Sequence, residues 1–151
     1  YAFTNNKLEN FVGKFQIAFY KAKYGDVFDK IISKFTFSPY SHCELIFSDG
    51  ICASSSPRDG GVRFANINFG EHWDVFDLDE SLSELDARLW FGFYDGEAYD
   101  FLGAVGSAVG LPFHSDNKKF CSLACASALK LRKINLTPGG LYKKLKRLKH
   151  I

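Results

Sequence analysis

The 151-residue chain carries 19 Lys and Arg against 17 Asp and Glu, so a net charge of only +2 does not mark the whole molecule as a polyanion binder. Its 46% hydrophobic share, with sixteen Phe, seven Tyr and two Trp, excludes a disordered chain and fits one domain over 1–151 with an aromatic core. No run approaches the roughly 18 apolar residues of a membrane span, and the first residues lack a basic-then-apolar signal layout, so a soluble protein is expected.

After a partly irregular stretch over 1–13, Phe15, Ile17 and Phe19 alternate with Gln16, Ala18 and Tyr20, and this period of two predicts a first strand. Asp26 is placed to cap a helix over about 26–35, where Val27, Phe28, Ile31, Ile32 and Phe35 recur at helical spacing. Pro39 breaks that helix and biases Ser38 toward extended backbone. The chain then enters a strand carrying Ser41-His42-Cys43-Glu44-Leu45.

Ser48-Asp49-Gly50 marks a hairpin turn, and its length decides which side chains face His42. A two-residue Asp49-Gly50 turn sets Glu44 opposite Ser55. A three-residue loop with Gly50 left-handed sets Glu44 opposite Ser54 and His42 opposite Ser56. The second reading is preferred, because it gathers Cys43, Leu45, Phe47, Ile51 and Ala53 on one buried face and leaves His42, Glu44, Ser54 and Ser56 on the other.

Short strands follow over 62–65 and 73–78, and a helix over 81–94 runs through Leu82, Leu85, Leu89 and Phe93, entered by acidic Asp77, Asp79 and Glu80. A further helix is expected over about 98–110; its Gly103, Gly106 and Gly110 fit close packing, since no strand leads into them and no lysine follows as in a nucleotide loop. Another begins at Cys121 and runs to about 133, with small residues Ala124, Ala126 and Ala128. A basic amphipathic helix closes the chain at about 138–150, capped by Thr137 with Pro138 in its first turn. There Leu141, Leu145 and Leu148 form a stripe amid Lys143, Lys144, Lys146, Arg147 and Lys149. The elements define an α+β fold in which a mostly antiparallel sheet of about five or six strands packs against helices.

Four cysteines, Cys43, Cys52, Cys121 and Cys125, are too sparse for a disulfide scaffold and favour reduced thiols in a reducing compartment. A thiol becomes a nucleophile as its thiolate, and a helix start beside an imidazole lowers its pKa. Cys121 sits at such a start, after Asp116, Asn117, Lys118 and Lys119, whereas Cys125 lies one turn inside and reads as a packing residue. His42 is the candidate base. Its ring needs an orienting group, and Glu44 on the same strand face or Ser54 on the adjacent strand can supply it. His72 and His114 lack such partners and are expected at the surface or in loops. No metal is expected, because His42 and Cys43 point to opposite strand faces and Cys121 with Cys125 has no second ligand pair at finger-like spacing. A Cys121–Cys125 disulfide fits helical geometry poorly.

The ordered set Ser38-Pro39-Tyr40-Ser41-His42-Cys43-Glu44-Leu45, Asp49-Gly50, Ala53-Ser54-Ser55, Gly60-Gly61-Val62-Arg63, Tyr99-Asp100 and Phe120-Cys121-Ser122 resembles the circularly permuted NlpC-type papain-like superfamily, in particular its YiiX-like branch. There histidine precedes cysteine, and the likeness spans roughly residues 15 to 145. The resemblance implies a permuted papain-like fold with Cys121 as nucleophile at a helix N-terminus, His42 as base, and either Ser54 or Glu44 as the third polar group. It also suggests Tyr40 and the Cys121 amide as oxyanion donors. No cofactor is implied. The activity it implies is amide cleavage in a peptide or cell-wall peptide through a thioester. Two alternatives stand beside it: a lipid-directed thiol acyltransferase or esterase, with the C-terminal basic helix on an anionic membrane, and a noncatalytic binding domain. Nucleic acid is not an expected partner, for want of a matching basic and aromatic surface.

Overall fold

The computed structural model describes residues 13–25, 38–56, 59–97, 119–132 and 137–151. The helices expected over about 26–35 and 98–110 lie outside the described residues, as do 1–12 and His114. Five strands form one antiparallel sheet, β1 (Gln16–Lys21), β2 (Tyr40–Ile46), β3 (Cys52–Ser56), β4 (Gly61–Ala65) and β5 (Trp73–Asp77), in the order β4-β3-β2-β1-β5. With α1 (Glu84–Tyr94), α2 (Lys119–Ala128) and α3 (Pro138–Arg147) the class is α+β, as expected. Among the described residues no helix is long and apolar enough to cross a membrane.

Strand alternation sorts the core. Ile17, Phe19, Cys43, Leu45, Ala53 and Val62 face the helices and pack with Ala87, Phe91, Leu123, Ala124, Leu141 and Leu145. On the opposite face Ala18, Ile46 and Cys52 are covered by Ile67, Phe69, Trp73 and Val75. Both faces are closed, so Gln16 to Phe19 of β1 and every residue of β2 except His42 are buried.

The hairpin takes the three-residue form. Phe47 N–H donates to Ile51 O at 2.9 Å, Gly50 N–H donates to Phe47 O at 2.8 Å, and Gly50 has φ +86°. The register that follows pairs Leu45 with Ala53 and Ile46 with Cys52, which puts Glu44 and Ser54 on one face. The expected pairing of His42 with Ser56 does not form: the β2–β3 ladder consists of those two pairs, and β3 runs on against β4 as far as Ser56↔Gly61. On the other side of β2, Tyr20 pairs with His42 and Lys21 with Tyr40, so Ser41 is an inserted bulge residue.

The α1 helix differs from expectation in start and in buried face. Ser83 caps it by accepting from Asp86 N–H at 3.1 Å, so the acidic residues of its first turn are Glu84 and Asp86 and not Asp77 to Glu80. It buries Ala87 and Phe91, whereas Leu85, Leu89 and Phe93 are more than half exposed. The sheet fixes this choice, because Phe91 packs edge-on to Phe64 and Glu84 accepts from the Ser48 amide and hydroxyl at 2.9 Å each. Arg88 adds an ion pair to Asp49 at 2.6 Å.

The α2 helix stops at Ala128, earlier than 133, and Lys130 adopts φ +55° just beyond it. The α3 cap is as read: Thr137 Oγ1 accepts from Gly140 N–H at 2.9 Å. Its leucine stripe is spent on the core, with Leu141 and Leu145 fully buried and Leu148 42% exposed.

Candidate active site

The site forms where β2 parts from β3 and bulges against β1. The Ser41 bulge re-aims His42 on one side, and the early end of the β2–β3 ladder opens the other. Beside this opening lies the first turn of α2, with Cys121 as its third residue rather than its first. Cys121 is 1% exposed, and its sulfur has the His42 ring, the Cys43 thiol and the Cys43 backbone amide as hydrogen-bond partners.

His42 Nε2 lies 2.7 Å from Glu44 Oε1, which leaves Nδ1 for the Cys121 sulfur. Of the two orienting groups left open by the sequence, Glu44 therefore holds the ring. The Trp73 ring stands edge-on to the imidazole, with centroids 6.1 Å apart. Burial, the largest influence on His42, opposes its charge, but the Cys121 sulfur and then Glu44 outweigh it and push the imidazole up to about 10. Burial likewise opposes ionisation of Cys121; the Cys43 thiol and the His42 charge overcome it and hold the thiol well below its usual range. The two shifts run in the direction that favours a thiolate–imidazolium pair over the neutral one.

A fully buried carboxylate requires compensation, and Glu44 obtains it from a residue to which the sequence reading gave no role. Arg63 Nη1 donates to Glu44 Oε2 at 2.7 Å and Nη2 donates to Oε1 at 2.5 Å. Despite burial, Arg63 and then His42 keep Glu44 below the usual carboxylate range. Asp59 accepts from Arg63 Nε at 2.9 Å. Arg63 reaches the Glu44 face through the β3–β4 register, which pairs Ser54 with Arg63 and which the sequence reading did not align.

Two expected site residues are engaged elsewhere. Ser54 Oγ donates to the Cys43 carbonyl at 2.7 Å, because the opened ladder leaves that carbonyl without a strand partner. Tyr40 Oη donates its only proton to Asp74 Oδ2 at 2.7 Å, and burial with that carboxylate raises its pKa; the ring packs against Phe19 and Tyr142. Neither hydroxyl turns to the thiol. Cys125 packs as expected, its Sγ 3.8 Å from that of Cys43, and His72 stacks on Tyr24 away from the thiol. All four cysteines are free. Among the described residues no group of three or more His, Cys, Asp or Glu side chains is arranged to hold a metal.

Compared with known proteins, the chain matches no family model, no curated protein and no solved structure.

Proposed function

We propose that the chain is a cysteine-dependent hydrolase of the permuted NlpC-type papain-like kind, cleaving an amide bond in a peptide or cell-wall peptide. The observation that carries this reading is the continuous chain of the buried Cys121 sulfur, the half-buried His42 imidazole and the buried Glu44 carboxylate. Each link has the chemistry acyl transfer needs: a thiol held well below its usual range, a proton carrier in contact with it, and an anion fixing the ring.

In the reaction the Cys121 thiolate attacks the substrate carbonyl carbon, and the carbonyl π pair moves to oxygen. Cys121 lies in the first turn of α2, whose amides have no intrahelical acceptor, so backbone N–H groups rather than the Tyr40 hydroxyl are the donors for that oxyanion. As the intermediate collapses to a thioester, His42 Nδ1 gives its proton to the leaving amine. The neutral imidazole then takes a proton from water, whose oxygen attacks the thioester and releases the acid. Glu44 stays ionised throughout and holds Nε2.

Docking of Leu141 and Leu145 in the core disfavours the membrane variant, because laying that stripe in a bilayer means removing it from the sheet. The test is alkylation by iodoacetamide followed by peptide mapping. Selective modification of Cys121 at neutral pH, lost in His42→Ala, is the expected result. Reaction no faster than that of an ordinary thiol refutes the nucleophile. With an activated thiol, a panel of cell-wall peptides, acyl lipids and thioesters assigns the substrate, and turnover of none of them leaves a binding domain.

A further inference from the structure

We propose that Arg63 is a positioning residue that sets the charge balance of the site, keeping Glu44 an anion so that the proton shared by Cys121 and His42 stays on His42. The inference rests on Cys121 being the nucleophile. Its geometric basis is the fork of Arg63 on both oxygens of a carboxylate with no exposed surface, one of which also takes the His42 ring.

The argument is one of charge counting in a buried place. Cys121 and Glu44 contribute two negative charges and His42 and Arg63 two positive ones, so the array is neutral as it stands. Without Arg63 it carries one excess negative charge, and desolvation favours uptake of a proton by the thiolate or by Glu44. Either event damages the pair: a protonated thiol is not a nucleophile, and a protonated Glu44 no longer stabilises the imidazolium. Without Glu44 the excess is positive, and His42 sheds its proton at lower pH. Other groups bear on the same array. Asp59 faces Arg63, Cys43 contacts Cys121 and Cys125, and Cys52 senses both Glu44 and Arg63 from β3. Asp59 is half exposed, and burial raises both Cys43 and Cys52, so none of the three supplies the missing positive charge.

The experiment is the pH profile of Cys121 alkylation by iodoacetamide in the full chain, with thermal melting to confirm folding. In Arg63→Met the midpoint for thiolate formation moves up by about one unit or more, roughly a tenfold loss of rate below the new midpoint. In Arg63→Lys, which keeps the charge and loses the fork, most of the wild-type profile remains. In the double variant Glu44→Gln/Arg63→Met the array is neutral again and the Gln carbonyl can accept from Nε2–H, so at least half of the shift is recovered. Recovery on removing a second buried polar group is the reverse of what a merely structural role produces. If Arg63→Met does not fold, the lysine variant and the charge-balanced double variant carry the test. A wild-type profile in Arg63→Met, or a double variant shifted as far as Arg63→Met or further, overturns the proposal. An ordinary thiol profile in the wild-type protein instead overturns the nucleophile, and this inference with it.

Discussion

Gly139 in the first turn of α3 offers a test of how the strand leading into the site is held. A Cβ built there would lie 1.8 Å from Ser38 Oγ and 2.4 Å from Ser38 Cβ. Rotating Ser38 removes the first clash and not the second, and it forfeits the bonds Ser38 Oγ makes with the Tyr40 amide at 3.1 Å and carbonyl at 3.2 Å. The backbone of Ser38 therefore has to move, and it lies two residues before Tyr40, where β2 and its bulge begin. Two effects compete in Gly139→Ala. Helix propensity favours alanine by about 1 kcal/mol at most, whereas overpacking of a buried contact costs about 1–3 kcal/mol, to which lost Ser38 hydrogen bonds add about 1 kcal/mol. The net expectation is a loss of about 1–3 kcal/mol, read as a fall in Tm of about 3–10 °C by calorimetry. Ser38→Gly in the same chain removes the clashing side chain and recovers part of the loss, a coupling that a double-mutant cycle measures. A Tm unchanged or raised in Gly139→Ala would show that propensity wins and that this contact does not position β2.

In wild-type protein, Cys121 alkylation has its midpoint below the ordinary thiol range, and His42→Ala moves it up because the Cys43 thiol and amide are then left alone to oppose burial; unchanged kinetics would refute the ion pair. Stability has two pH limits, measurable by urea titration. Glu44, depressed in the fold, contributes stability present above its ordinary value of 4.5 and lost as pH falls through its folded value. His42, raised in the fold, contributes stability present below 6.5 and lost as pH rises toward about 10. Gly50→Ala costs about 1–2 kcal/mol in denaturant unfolding, from the φ of +86° alone, since nothing lies within 4 Å of the added Cβ. Ser54→Ala strands the buried Cys43 carbonyl and costs about 1–3 kcal/mol, while the Cys121 alkylation midpoint stays in place; a shifted midpoint would return Ser54 to the ring.

What was legible in the sequence followed from local chemistry. Ser48-Asp49-Gly50 marked the turn, the apolar face of Cys43, Leu45, Phe47, Ile51 and Ala53 chose its three-residue length, and the register that follows put Glu44 and Ser54 on one face. Thr137 and Pro138 fixed the α3 start in the same way. What was not legible depends on which partner is present. The α1 helix carries two apolar faces, Leu85-Leu89-Phe93 and Ala87-Phe91, and only the positions of Phe64 and the hairpin loop select the second. The Ser41 insertion has no composition signal, because a bulge is defined by its neighbour strand. Arg63 was visible as a residue but not as a partner, since its role appears only when β4 is aligned on β3 and both on Glu44.

The broken ladder explains why the thiol is activated at this point of the sheet and not elsewhere. In a continuous antiparallel pairing the amide and carbonyl of one residue both serve the same neighbouring strand. At Cys43 those two groups are without β3, and they are taken up separately: the carbonyl accepts from Ser54 Oγ, and the amide serves the Cys121 sulfur. One local departure from strand pairing thus supplies a backbone donor for the thiolate and the space for α2 to approach. The Ser41 bulge on the opposite edge of β2 turns the histidine of the same strand to that sulfur. Closing either irregularity, by pairing β3 past Ala53 or by removing Ser41, takes away one of the groups that ionise Cys121. The two irregularities are therefore parts of the site rather than defects of the sheet.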